Sequence, residues 1–392
     1  MRYLILLFLL IFSCGIEFPT RYDRIEDTLR CLAFVFDNDT LAEGAPGDTV
    51  TLRAYFAGDQ IRSTKWSVST QMLLGALTGS DTFADTIPLE QVMVPGTYHE
   101  YSTGKTDSIV FDFVVPKDII KKTFSEVQSI KALLPSAIPD SLFGGAQSNY
   151  KPIDIINLID TLATVSQFLT PQIFENLLPI LTGSNSADSL IKYFPLLLQT
   201  FTVNMKFNLL ANSDCRVKGY YSVRYNSRFS SVFPNVPVNR NPLIKSINLY
   251  TVKGNRSSFD PDNDSYEKVT ELSSTNNTID IDTSHSYFLE VIHPDSITDI
   301  GQEFTTGSYV PEFFHAEWFY KNETQLSEVN FDQLMSIQAS QSSNIARLLP
   351  SLDKRMVDFS IWVVVYDDLY GEKFRPVGFS FRPVEGKFRY LY

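Results

Sequence analysis

The chain has little of what most catalytic centres are built from. Its 392 residues include only four histidines, His99, His285, His293 and His315, and three cysteines, Cys14, Cys31 and Cys215. No two histidines stand in a His-x-x-x-His or His-Glu-x-x-His pair, which argues against a helix-borne zinc centre. His315-Ala316-Glu317 sets two donors on one face of a strand, but no third ligand follows close by. There is no Gly-x-Ser-x-Gly elbow, no P-loop and no dinucleotide-binding glycine fingerprint. The cysteine spacing shows no disulfide framework, so Cys31 and Cys215 form either one bridge or two separately buried thiols. Beyond residue 15 no uninterrupted apolar run reaches the about 20 residues that span a bilayer. Basic charge is also scarce, 33 Lys and Arg against 45 Asp and Glu, for a net charge of −12. No nucleic-acid partner is expected, because phosphate binding needs a basic surface.

What is present describes an ordinary folded chain. Hydrophobic residues make up 44% and charged residues 20%, which excludes wholesale disorder. The length exceeds one typical core and predicts more than one domain. Thirty Phe and nineteen Tyr suit half-buried sheet surfaces. The expected fold class is mainly β with an α-helical insertion.

The first fifteen residues, MRYLILLFLLIFSCG, carry an address. Arg2 is a positive start, Tyr3–Phe12 a short apolar run, and small Ser13 precedes Cys14. A run of about ten apolar residues is too short for a ~30 Å bilayer core, and this order of features marks a secretory signal. Ile11-Phe12-Ser13-Cys14 resembles the lipobox of bacterial lipoproteins. That resemblance implies cleavage before Cys14, lipidation of its thiol and a mature chain held to a membrane of the cell envelope. Gly15 in place of Asp implies the outer membrane over the inner. The competing reading is an ordinary secretory signal cleaved nearby. Residues 1–13 are thus read as the signal peptide and 14–29 as a polar tether.

Strand signals begin at Leu32–Phe36. Ala45-Pro46-Gly47-Asp48 is turn chemistry: Pro fixes φ, Gly permits positive φ, and Asp bonds its own backbone. Thr49–Phe56 then alternates, with Val50, Leu52 and Ala54 opposite Thr49, Thr51 and Arg53, as in a half-buried antiparallel strand. Ile61–Val68 carries Trp66, and Ser108–Val115 closes at Pro116. The run PGDTVTLRAYFAGDQIRSTKWSV resembles bacterial immunoglobulin-like (Ig-like) domains, in which a Trp on the strand after the alternating one packs between two sheets. The resemblance implies a β-sandwich over residues 30–116. Trp66 is then a core plug, or else a ligand platform.

Residues 117–200 change character. Ile155, Leu158, Ile159, Leu162, Val165 and Leu169 share a face at helical spacing. Asp118–Leu134 predicts a helix stopped by Pro135, Thr170-Pro171 starts another, and Ala187–Leu198 predicts one interrupted at Pro195. These apolar faces are helix-on-helix core or a partner-binding surface, and they lack the basic rim of a membrane-surface helix. Strands return at Thr202–Leu210, Arg216–Tyr225, Leu243–Val252, Thr278–Asp282 and Ser286–Ile292, which predicts a second sandwich over 201–294. A third region, 295–392, either stands alone or joins it. Its WVVVYDDLYGEKFRPVGFSF is similar to the closing hairpin of an Ig-like sandwich, which implies a buried strand bearing Trp362 as core and then an edge strand. Gln333–Leu349 is expected to be helical or irregular. Tandem Ig-like sandwiches are the expected architecture.

Asp260, Asp262, Asp264, the Tyr266 carbonyl and Glu271 stand at positions 1, 3, 5, 7 and 12 of a Ca²⁺ loop. Ser265 replaces the turn glycine, and strands flank the loop, so an acidic solvated hairpin competes with Ca²⁺ binding. No other cofactor is expected. Asp367-Asp368 offers a carboxylate pair for glycoside chemistry or, at a hairpin tip, a turn. The sequence therefore favours an exported, lipid-anchored, non-catalytic envelope protein acting in binding, adhesion or assembly, with an envelope protein or glycan as partner. The alternative is a carbohydrate-active envelope hydrolase whose carboxylates meet only in the fold.

Overall fold

In the computed structural model the strands group as two β-sandwiches, the first of them carrying the helices. It describes Ile25 and residues 28–38, 41–72, 84–125, 127, 151–182, 187–233, 236, 238–256, 265–293, 300–302, 309–311, 313–322, 335–339, 344–350, 357–368 and 379–390. The first part of the chain holds β1 (Arg30–Asp37), β2 (Glu43–Gly44), β3 (Thr49–Ala57), β4 (Thr64–Met72), β5 (Ala84–Ile87), helix α1 (Leu89–Val92), β6 (His99–Ser102) and β7 (Asp107–Val114). Four helices follow, α2 (Ile119–Phe124), α3 (Pro152–Val165), α4 (Pro171–Thr182) and α5 (Ala187–Thr200). Then come β8 (Val203–Ala211), β9 (Cys215–Val223) and a short α6 (Asn226–Phe229).

These strands make two sheets, in the orders β1-β3-β7-β6 and β2-β9-β8-β4-β5. The alternation expected of β3 is realised: Val50, Leu52, Ala54 and Phe56 are fully buried between the sheets. On its other face Thr51 hydrogen-bonds Asp112 of β7 at 2.7 Å. Phe36 and Phe113 of one sheet meet Phe207 and Tyr221 of the other, with ring centroids 4.8–5.5 Å apart. Each such ring removes ~150–250 Å² from water, so this aromatic layer dominates the core.

One set of strand pairings corrects the expected domain boundaries. Strand β8 pairs with β4 over its whole length, from Thr64↔Ala211 to Met72↔Val203, and β9 pairs with β8. Residues 203–223 therefore complete the first sandwich, and the helices are an insertion within it, between β7 and β8. Pairing partners this far apart leave no local trace in the sequence. The remaining strands make one further sandwich, the joined one of the two arrangements expected for 295–392. It comprises β10 (Ser246–Lys253), β11 (Glu267–Leu272), β12 (Asn277–Ile281), β13 (His285–Ile292), β14 (Ile300–Gln302), β15 (Tyr309–Pro311), β16 (Phe313–Asn322), β17 (Met335–Ala339), β18 (Ile345–Pro350), β19 (Val357–Asp368) and β20 (Phe379–Tyr390). Its sheets run β11-β10-β13-β18-β17 and β12-β20-β19-β16, with β14 and β15 as a separate pair.

Local expectations fail at four places. Gln333–Leu349, read as helical or irregular, contains β17 and β18, which pair with each other. Strand β20 is not an edge: it lies between β19 and β12, the latter parallel to it. Gly386 permits that neighbour, because a Cβ there would stand 2.5 Å from the Asn277 carbonyl oxygen. Helix α5 runs through Pro195 without a break. The polar tether ends early: Ile25 is 2% exposed, and its N–H donates to the Tyr320 carbonyl at 2.8 Å. The helix expected over Asp118–Leu134 is present as Ile119–Phe124, and its remainder from residue 128 lies outside the described residues.

Strand β19 explains its own continuous apolar sequence. Successive strand residues point to opposite faces. Ile361, Val363 and Val365 fill the core of the second sandwich, while Trp362 and Val364 face Leu32, Ala33 and Ala57 of the first. Tyr55 stacks on Phe381 across the same seam at 4.1 Å. Both faces are buried, so neither needs polar residues.

Candidate functional site

A buried ion pair and a second, partly exposed one lie beside the turn that opens β3. Gly47, with φ of 90°, lets the chain reverse, and the Asp48 carboxylate accepts the Ala45 N–H at 2.8 Å. The turn is built as its residues predict. Just before it, β2 pairs parallel to β9, which sets Glu43 of β2 beside the end of β9. Arg224 follows β9 directly, and its Nε–H donates to Glu43 Oε2 at 2.6 Å. The Asn239 N–H donates to the same oxygen at 3.1 Å. Glu43 is 0% exposed and the Arg224 side chain 9%.

A second carboxylate stands alongside. Asp48 pairs with Arg228 from α6, and Asn38 Nδ2–H bridges the groups, donating to Asp48 Oδ2 at 3.2 Å and to the Glu43 carbonyl at 3.3 Å. Tyr221 packs its hydroxyl against Gly44. Burial, and then the carboxylates of Asp48 and Glu43, push its phenol well above the usual tyrosine range. The fold thus gathers two carboxylates and two guanidiniums, but a general acid or base must reach its substrate. Glu43 is sealed, and Asp48 holds a turn and an arginine. The arrangement fastens β2, β9 and the chain around 239–241 to the first sandwich, where Asn241 Nδ2–H also donates to the Phe36 carbonyl at 2.7 Å.

The helical insertion has a comparable latch. On α3, Asp160 accepts from Lys121 Nζ of α2 at 2.6 Å and from the Tyr225 hydroxyl at 3.1 Å. Burial, followed by the Asp160 charge and that hydrogen bond, raises the Tyr225 phenol. Beneath it Ile155, Ile156, Ile159 and Leu162 join the first core, as do Phe174 and Phe194 with Phe229. The apolar helix faces are therefore mostly core. Their exception is the corner joining α3 to α4. There Val165 is 41%, Phe168 72% and Ile173 42% exposed, in a stretch without a charged residue from 161 to 174.

The residues singled out from sequence fall as follows. Trp66, on β4, packs edge-on against Phe34 and Phe111 of the opposite sheet, at 6.0 and 5.2 Å, and is half-buried. Trp362 is 1% exposed, but it lies in the seam between sandwiches, where its indole N–H donates to Thr106 Oγ1 at 2.7 Å. Cys14, Asp260, Asp262 and Asp264 lie outside the described residues. Tyr266 is exposed with its ring against Tyr250 at 5.1 Å, and Glu271 sits in β11 opposite Asn248. Among the described residues no group of His, Cys, Asp and Glu could hold a metal ion. The His315 ring packs tilted against Tyr366 at 5.2 Å, with Glu317 exposed on the same strand. Asp367 and Asp368 end β19 within the strand. No helix among the described residues is long and apolar enough to cross a membrane.

Sequence reading missed Glu43, Asp160 and the Phe168 corner. An uncharged run ending in Ser-Gln-Phe-Leu-Thr-Pro was a usable signal for the corner, since a helix turn of that composition gives a phenylalanine no sheltered face. Glu43 and Arg224, 181 residues apart, offered none.

A two-sandwich protein with a helical insertion is the class these observations define. No protein-family model matches the chain, and no curated protein matches it.

Proposed function

We propose that this is an exported, lipid-anchored, non-catalytic protein of the cell envelope that binds an envelope protein through the corner between α3 and α4. We read both sandwiches as Ig-like modules serving as a rigid support, and Cys14 as the lipidated start of the mature chain. Outer-membrane attachment follows from the same lipobox reading. Two arrangements favour a support role: the carboxylates gathered by the fold are tied up in ion pairs, that of Glu43 wholly buried, and the two sandwiches share a sealed seam.

The observation that carries the binding reading is Phe168, 72% exposed beside Val165 and Ile173. Aromatic anchors surrounded by apolar neighbours dominate protein interfaces, whereas isolated large apolar side chains on water gain nothing. A photo-crosslinking residue placed at 168, and at Val269 as a control on the second sandwich, tests this in cells of the native host. Adducts to a discrete envelope protein from 168 and not from 269, lost when Val165 and Ile173 become serine, are expected. Absence of adducts at 168 would overturn the binding surface. A glycan-cleaving turnover abolished by replacing specific carboxylates would instead establish the hydrolase.

A further inference from the structure

The remaining cysteines lie on contacting strands of the two sheets of the first sandwich. Cys31 is the second residue of β1 and Cys215 the first of β9, so they belong to opposite sheets. Cys215 is 9% exposed within the shared core, and Cys31 packs against that same core. β1 and β9 lie directly on each other. Their closeness shows at Gly219, where a Cβ would come within 2.9 Å of the Phe34 ring. At Cys31 itself the register with β3 slips before Ala33, an irregularity of the kind that re-aims a strand residue. The Cys31 Sγ–H donates to the Ala33 carbonyl at 3.8 Å, and Cys215 is near enough for a charge on it to disfavour one on Cys31. Both thiols are free in the structure.

We propose that Cys31 and Cys215 close an intramolecular disulfide that staples the two sheets of the first sandwich. The oxidant is a small-molecule or protein disulfide. One cysteine thiolate attacks it, forming a mixed disulfide and expelling one thiol. The second cysteine then attacks the mixed disulfide, closing the bridge and expelling the other thiol. Two protein thiols are oxidised, and the oxidant gains both electrons and both protons. Burial pushes the Cys31 thiol up, and Cys215 is 9% exposed within the core. Closure therefore belongs to folding, before the core seals. That this happens in the cell rests on the exported reading above; the pairing itself does not.

The test is oxidative refolding of the full chain carrying Cys14→Ala, which leaves only these two cysteines. Refolding in oxidised and reduced glutathione should remove both titratable thiols and lower the mass by two hydrogen atoms. The non-reduced digest should contain a peptide joining Cys31 to Cys215. A bridge closing so long a loop should raise Tm over the reduced chain by about 10 °C or more. Persisting free thiols, glutathione adducts on each cysteine, or a lower Tm in the bridged form would overturn the proposal. None of these results bears on export. Conversely, free thiols in protein isolated from the host, with the bridge forming on refolding, would support the pairing and count against export alone.

Discussion

Replacing Glu43 by alanine should be among the most damaging single changes available to this fold. The carboxylate is wholly buried, and Arg224 and the Asn239 N–H converge on Oε2. Removing it leaves the guanidinium with 9% side-chain exposure and without its counter-charge. Breaking one side of a buried ion pair costs about 3–5 kcal/mol, because the surviving charge keeps its desolvation penalty. At about 2–4 °C per kcal/mol for a domain of this size, Tm should fall by about 6–20 °C. The same reasoning sets a control. Removing both charges, as Glu43→Leu with Arg224→Met, should recover most of the loss, since the penalty arises from the unpaired ion. Calorimetry of the wild-type chain, the single and the double variant decides it. A loss below about 1 kcal/mol for Glu43→Ala, or no recovery in the double variant, would refute the claim that this pair is sealed and mutually dependent.

Two further outcomes follow from the latch and the seam. The Tyr225 phenol is raised, chiefly by burial and then by Asp160, so the folded state keeps its proton longer than the unfolded chain. That contribution is complete below the unfolded tyrosine value near ~10 and is lost as pH rises beyond it. Stability should therefore fall above about pH 10, and Tyr225→Phe should make the alkaline fall shallower by up to about 1.4 kcal/mol per pH unit, read by urea titration at each pH. At the seam, Trp362→Ala removes a ring that is 1% exposed and its 2.7 Å bond to Thr106, at a cost of about 3–5 kcal/mol. The wild-type chain should melt in one transition and the variant in two, because the ring joins modules that otherwise have their own cores.

How much of this was legible in the sequence depends on the range of the interaction. The β3 alternation, the turn at Gly47-Asp48 and the helix bearing the apolar face of Ile155, Ile159 and Leu162 are local, and each stands where periodicity or turn chemistry put it. Trp66, a core plug or a ligand platform by the resemblance to Ig-like domains, is half-buried with its ring against Phe34 and Phe111. Pairings set by topology were not. Strands β4 and β8 are joined across the whole helical insertion, so 201–294 looked like a separate sandwich. β17 and β18 are short, and their apolar residues do not alternate over a long run, which made Gln333–Leu349 look irregular. The unbroken apolar centre of β19 marked a strand buried on both faces, but its second partner, the first sandwich, could not be read from it. Glu43 looked like any polar residue before a turn, because its arginine lies 181 residues away.

The account rests most heavily on Cys14. Its direct test is the intact mass and membrane partition of the protein from its native host, beside a Cys14→Ala variant. A mature mass beginning at Cys14 with added acyl chains, partitioning with membranes and lost in the variant, is predicted. An unmodified protein that stays in the aqueous phase in both would contradict the lipid-anchored envelope role.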